Sequence, residues 1–338
     1  MKKSTLFLYT LLIASCSFAQ QDSARAYFEK GMEEKNARRF LTASKNFEKA
    51  VGFDKQYKEA YLQNGYVNLE MRKTDIAKGL FTKVHELDAN DMGAIRELST
   101  IYYDYRQFKQ AIAFATKCIG CHDAERIQAM SNYHLEDYAA AVKGLKNVLA
   151  KNPADAEATY TLGRTYLDMQ EYKAAVPYYN KAVQLDESKN VWAYELGLLY
   201  YNLNDFKNAV VFFNKAAAGG YPQSNDFSEN LGYAYIYSGQ FEKGEPLLLD
   251  IFAKKPGNKE LLHDIAQACY QLKMYDKSLG YCQQLMELDS KDAKALYQAG
   301  LCFQKKGQKE KGQGMCDKAI EMDPSLAKMR QKNMTMGL

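Results

Sequence analysis

Within five residues, Cys118-Ile119-Gly120-Cys121-His122 sets two thiols beside an imidazole. That spelling suits two chemistries. The thiols can bond covalently to a haem whose iron the histidine ligates, which would make the chain an electron-transfer protein carrying haem c. Alternatively, they close a local disulfide or stay as two inert thiols, and in an oxidising compartment pairing is favoured. Four more cysteines, Cys269, Cys282, Cys302 and Cys316, fall into two pairs 13 and 14 residues apart. A zinc site is disfavoured, because the chain has only 4 His and no second cysteine-rich cluster nearby. Nothing spells a nucleophile elbow, a phosphate-cradling glycine loop or His-Glu-x-x-His. Gly219-Gly220 reads as a turn, and the carboxylates are spread over solvated helix faces. No catalytic residues and no metal are expected.

These side chains hang on a repeat. A small residue recurs at Gly31, Gly65, Ser99, Ala129, Gly163, Gly197, Gly232, Ala266 and Gly300, at intervals of 34 residues except for one of 30 and one of 35. Twelve residues after each stands another: Ala43, Ala77, Ala111, Ala141, Ala175, Ala209, Gly244, Ser278 and Gly312. Fixed self-similarity at this length marks stacked repeats. The first small residue sits in an apolar helical pattern, often with an aromatic three residues on (Tyr102, Tyr166, Tyr200, Tyr235, Phe303). A polar turn such as Leu203-Asn204-Asp205 follows, and an aromatic such as Phe40, Phe108 or Phe206 opens a second helix. A large apolar group usually comes four places after the second small residue: Phe47, Phe81, Leu145, Tyr179, Phe213, Leu248. Small residues let two antiparallel helices close up while large ones fill the gap beside the turn. One pair cannot bury its own apolar face, so each unit leans on the next. Pro153, Pro256 and Pro324 close three units. No period-two run competes.

The order aromatic, Leu-Gly, Tyr, Ala, Phe, Ala, Pro resembles the tetratricopeptide repeat. Leu162-Gly163, Tyr166, Ala175, Tyr179 and Ala182 carry the likeness most fully, as do Leu196-Gly197, Tyr200, Ala209, Phe213 and Ala216. It spans 24–326, with units starting near 24, 58, 92, 122, 156, 190, 225, 259 and 293. The resemblance implies an all-α, right-handed α-solenoid of about nine helix-turn-helix repeats. Cys282 and Cys316 depart from it by replacing the large aromatic, and Lys309 stands where an aromatic should open the last second helix. Residues 327–338 are basic and read as a C-terminal cap or tail. Cys269 and Cys282 lie on the two helices of the eighth unit, and Cys302 and Cys316 on those of the ninth. Each pair either bridges its hairpin or fills small apolar slots. Cys118 takes the small buried slot held elsewhere by Ala50, Ala182 and Ala216, at a junction four residues short, where a haem pocket is not evident.

In tetratricopeptide proteins the first helices of successive units line a groove in which partners lie. Read at intervals of four and three, that face collects Tyr66, Arg96, Tyr103, Arg126, Tyr133, Tyr160, Arg164, Tyr194, Tyr201 and Tyr233, with Tyr270 and Tyr297 flanking. Tyr and Arg combine large contact area with directed hydrogen bonds at interfaces. Arg96, Arg126 and Arg164 on neighbouring helices would hold a carboxylate. The competing reading packs many of these tyrosines between helices. The Lys and Asn carboxylate clamp of chaperone-binding relatives is not reproduced. The resemblance therefore implies a non-enzymatic scaffold that binds a protein, as a peptide or a partner helix, with haem-based electron transfer as the alternative.

Lys2 and Lys3 precede an apolar run from Leu6 to Ala14, the pattern of a secretory leader too short to span a bilayer. Ser17-Phe18-Ala19 offers cleavage after residue 19. Ile13-Ala14-Ser15-Cys16 instead resembles the bacterial lipoprotein box, which would end the leader at residue 15 and lipidate Cys16. Either route exports the chain: to the periplasm, to an outer-membrane lipid anchor, or out of the cell. No other segment is apolar and long enough to cross a membrane. Losing Lys2 and Lys3 takes the formal net charge from +4 to +2, and the charges are scattered, without the footprint of a nucleic-acid binder.

Overall fold

Paired helices fill the computed structural model, which describes residues 20–255 and 257–328. The expected leader, Cys16, Pro256 and residues 329–338 of the expected tail lie outside the described residues. Two compact units divide the chain, one running to Glu171 and the other starting at Tyr172. The first unit holds α1 (20–36), α2 (Phe40–Phe53), α3 (Lys58–Glu70), α4 (Thr74–Leu87), α5 (Met92–Asp104), α6 (Phe108–Lys117), α7 (Ala124–His134), α8 (Tyr138–Lys151) and α9 (Ala156–Asp168). The second holds α10 (Tyr172–Leu185), α11 (Asn190–Asn202), α12 (Phe206–Ala218), α13 (Asn225–Tyr237), α14 (Phe241–Lys254), α15 (Lys259–Gln271), α16 (Tyr275–Leu288), α17 (Ala293–Lys305) and α18 (Lys309–Met322), ending in a 3-10 turn at Pro324–Leu326. No strand occurs among the described residues. The fold is an all-α solenoid of stacked hairpins.

A close contact recurring in the hairpins joins the first small residue to the side chain sixteen places on. A methyl group added at Gly31 would stand 2.5 Å from the Phe47 ring, and one at Gly65 or Gly197 would stand 2.6 Å from Phe81 or Phe213. At Gly232 it would meet Leu248 at 2.7 Å, and at Gly300 the Cys316 sulfur at 2.6 Å. Size is exchanged across this contact. Where the first residue grows to Ser99 or Ala266, the residue in register shrinks to Ala115 or Cys282, all four buried. Cys282, which reads as a departure from the repeat, therefore obeys its packing rule, whereas Cys316 stands opposite Gly300 and does not.

A second regularity was not legible beforehand. Seven residues after each small residue, the backbone turns left-handed, at Arg38, Arg72, Arg106, Glu136, Gln170, Asn204, Gly239, Lys273 and Gly307. Each turn closes the preceding helix with paired hydrogen bonds, as when Arg72 N–H donates to Leu69 C=O (2.8 Å) and Lys73 N–H to Asn68 C=O (2.8 Å). That is the αL helix cap usually given to glycine, and seven of the nine positions are not glycine. The chain accepts this conformational penalty because the hairpin demands a two-residue reversal at that point.

Between hairpins, Asp54, Asp88, Asn152, Asp186, Asp289 and Asp323 accept a backbone N–H two residues on, shaping the return turn. Asp91, Asp155, Ser224 and Asp292 then cap the next first helix. Charged ties span neighbouring repeats, for example Lys58–Asp88 at 2.8 Å and Lys259–Asp289 at 2.7 Å. One inter-hairpin contact is polar and buried: Ser44 Oγ donates to Asn64 Oδ1 at 2.7 Å, and Asn68 Nδ2 donates to the same oxygen at 2.9 Å.

Gly312 and Gly314 separate these packing effects on one helix. A methyl at Gly312 would sit 2.4 Å from the Gly300 carbonyl oxygen, whereas one at Gly314 meets nothing within 4 Å. Gly312→Ala should destabilise by ~1–3 kcal/mol. Gly314→Ala should stabilise by ~0.5–1 kcal/mol through helix propensity. Urea unfolding followed by circular dichroism measures both.

Candidate functional site

In the first unit the expected arginines are already engaged. Arg126, on α7, donates from Nε to Asp155 Oδ2 at 2.8 Å and from an Nη to Glu157 Oε2 at 3.0 Å. Asp155 is also the cap of α9, accepting Ala158 N–H at 2.9 Å. Arg126 is thus a half-buried tie between α7 and α9. Arg96 bonds the adjacent Glu97 at 2.8 Å, and Arg164 lies 4.0 Å from Asp168, one turn along α9. A carboxylate from a partner would have to compete with these internal acids, which corrects the expected three-arginine clamp.

The tyrosines of this unit pack as well as face outward. Tyr66 sets its edge against Phe81 at 5.3 Å. Tyr103, Phe108, Tyr133, His134 and Tyr138 form one aromatic cluster, with His134 stacked on Phe108 at 4.4 Å. Burial lowers the His134 pKa, and Arg106 adds to this, so the ring stays neutral at pH 7. Tyr133 donates its hydroxyl to Asp168 at 3.0 Å. Burial pushes its phenol up to about 12, with Asp168 adding and Arg164 opposing. Tyr160 and Arg164 are half-buried on α9.

The second unit differs. Tyr194 stacks on Tyr221 at 4.3 Å and accepts a hydrogen bond from Asn230 at 3.1 Å. Tyr201 meets Phe206 edge-on at 5.3 Å, and Phe206 tilts against Tyr237 at 4.9 Å. Tyr233, expected on the open face, is buried (8% exposed): its ring stacks on Tyr237 at 6.3 Å, and its hydroxyl reaches Asp264 at 3.5 Å. Tyr297 is likewise buried, while Tyr270 is half-buried beside Tyr275.

Around these rings stand two acids that sequence reasoning missed, Glu229 and Asp264. Desolvation raises the Glu229 pKa, and the charges of Asp226 and Asp264 add to it. Desolvation also raises Asp264, with Glu260 adding and the Tyr233 hydroxyl, His263 and Lys294 opposing. Their field reaches the phenols. Burial pushes Tyr201 up to about 12, with Tyr237, Glu229 and Asp264 adding, and burial with the same acids raises Tyr233 further. Among the described residues, neither carboxylate is ion-paired. A signal existed: Glu229 lies three residues before Gly232, the slot that holds Arg96, Arg126, Tyr160 and Tyr194 in other repeats.

Cys118 and Cys121 are joined in a disulfide with their Cα atoms 5.5 Å apart. His122, its side chain 91% exposed, turns Nδ1 to Asp123 at 3.0 Å. The sulfurs are thus engaged with each other and the imidazole with an acid. Of the two alternatives for Cys269/Cys282 and Cys302/Cys316, the hairpin bridges are not formed, and all four cysteines are buried and free. Cys302 lies two residues beyond Gly300 and points to the preceding hairpin, donating to Ser278 Oγ at 3.2 Å. Cys316 faces Gly300 in its own hairpin and accepts from Gln304 at 3.7 Å. Burial pushes the Cys269 and Cys282 thiols up to about 12, which keeps them protonated and unreactive. No group of three or more metal-ligating side chains converges among the described residues.

Arg126→Ala should lower stability by ~1–2 kcal/mol by leaving the largely buried Asp155 without its cation. Arg96→Ala, whose bridge is exposed, should change it by less than about 0.5 kcal/mol. Parallel urea titrations check the contrast.

In comparison with known proteins, a tetratricopeptide repeat model matches residues 128–190 and 160–225, and a second tetratricopeptide repeat model matches 293–326. No curated protein matches. Similar solved structures include YrrB, described as a TPR protein with an unusual peptide-binding site, which is 26% identical, covers 57% of this chain and 100% of its own, and has a TM-score of 0.39. MamA is 24% identical over 49% of this chain and 93% of its own, with a TM-score of 0.44. PilW, a type IV pilus biogenesis factor, is 17% identical over 62% of this chain and 96% of its own, with a TM-score of 0.46.

Proposed function

The chain is a tetratricopeptide-repeat protein, and from that premise we propose that it is a non-enzymatic scaffold of the bacterial cell envelope. Its second unit binds an extended protein segment that carries lysine or arginine. The observation behind this reading is the pair Glu229 and Asp264, both raised in pKa and neither ion-paired among the described residues, set among Tyr201, Tyr233 and Tyr237. Carboxylates held in this way lose solvation without gaining a cation, and an incoming ammonium or guanidinium supplies one. The exposed parts of the neighbouring rings add contact area and a cation–π attraction. In the first unit Arg96 and Arg126 are satisfied by internal acids, so binding there falls to shape and to the tyrosine hydroxyls.

The envelope part of the reading rests on the leader pattern of residues 1–19. It is supported by the Cys118–Cys121 disulfide, a bond that persists in oxidising compartments. Cleavage after Ala19 and lipidation of Cys16 remain the two routes, which the mass of the mature N-terminus distinguishes.

Fluorescence anisotropy with labelled peptides of matched length tests the charge preference. Lysine- and arginine-bearing peptides should bind more tightly than glutamate-bearing ones, and Glu229→Gln with Asp264→Asn should weaken them by about tenfold or more. Affinity should also fall with acidification. Both groups are charged above their raised pKa values and neutral below them, so release begins at a higher pH than for ordinary carboxylates near ~4. Equal binding of acidic and basic peptides, or indifference to the double substitution, defeats the reading.

A further inference from the structure

The turn between α6 and α7 is set apart from its counterparts by a disulfide and by the shortened helices on either side. From α2 onward the other helices have 13 or 14 residues, but α6 has 10 and α7 has 11. Neither the Asp/Asn return turn nor a side-chain cap is present here: Asp123, at the start of α7, makes no capping hydrogen bond. A covalent bond stands in their place. Cys121 N–H donates to Cys118 C=O at 3.2 Å, and the two sulfurs close the same four-residue turn. Gly120 supplies the left-handed residue (φ 79°). On one side, Cys118 is buried among Ile95, Ala111, Ala115 and Ile127. On the other, Cys121 is half-buried and Ile119 is 83% exposed.

We propose that Cys118–Cys121 is a thiol–disulfide exchange site for a dithiol reductant, and that its redox state sets how firmly α7 is held. Exchange requires attack along the S–S axis. Only Cys121 offers a solvent side for that approach, opposite the buried Cys118 sulfur. One thiolate of the dithiol attacks Cys121 Sγ, and the S–S bond breaks. Cys118 leaves with the electron pair and takes a proton from water. The second thiolate then attacks its own partner's sulfur in the mixed disulfide and releases Cys121 as thiolate, which also takes up a proton from water. The dithiol ends as a disulfide, and the protein gains two electrons and two thiols. Opening this turn frees the start of α7, which lacks a side-chain cap and carries Arg126. The state of the bond thereby acts on the first unit's face.

The test uses the purified, oxidised full-length chain. Dithiothreitol under native conditions should expose Cys118 and Cys121 to alkylation while Cys269, Cys282, Cys302 and Cys316 stay unmodified. Amide hydrogen exchange across 121–134 should rise by about tenfold or more, with the second unit unchanged, and reoxidation should restore it. Cys118→Ala with Cys121→Ser should exchange as the reduced protein does, without reductant. If that variant does not fold, reduction of the native chain still decides. A bond that yields only in denaturant, or equal exchange in both redox states, overturns the proposal.

Discussion

Two helices can approach closely only where one of them presents little or no side chain to the other, and that steric limit governs this molecule. The pairing of a small residue with a bulky one sixteen places later sets the spacing of each hairpin. The left-handed residue seven places after the small one sets its reversal. Together they fix both ends of the hairpin, so the intervening surface positions are released from structural duty. Ala115 and Cys282 keep the rule, because the opposing residue grows to Ser99 or Ala266, while Cys316 stands opposite Gly300 and departs from it.

What remains on the first-helix faces divides by charge balance. In the first unit, arginines and acids pair across and along helices, which converts apparent binding groups into internal ties. In the second unit, the same helical positions gather tyrosines around acids that lack such a partner. A polar surface residue thus reports on binding only after its internal contacts are known. Arg126 is the plainest case, since the same guanidinium that looks available in the sequence spans two repeats in the structure.

The helical class, the repeat phase and the small-to-large contacts were legible because they recur at fixed offsets and because each follows from packing. The left-handed turn was missed because seven of its nine residues are not glycine, so composition gave no cue. Glu229 and Asp264 were not legible for a different reason: Glu229 shares the slot of Arg96, Arg126, Tyr160 and Tyr194, but Asp264 lies one residue off it. The burial of Tyr233 depends on Tyr237 and Asp264, one of them on a neighbouring helix, and one-dimensional periodicity does not encode that. The cysteine pairs show both outcomes. Local spacing indicated Cys118–Cys121 as one of two chemistries, whereas of the two readings of the Cys302/Cys316 pair the structure takes slot-filling, because a two-residue offset from Gly300 turns Cys302 to a different neighbour.

The hydroxyl and amides shared by Ser44, Asn64 and Asn68 have a consequence for how such an array can change over time. Interfaces made of aliphatic groups are interchangeable, and a duplicated or deleted module can settle against a new neighbour. A dry interface that needs a matched donor and acceptor is not. Recombination that separated α2 from α3 would strand an amide in the interior, so this pair of modules is inherited as a single block.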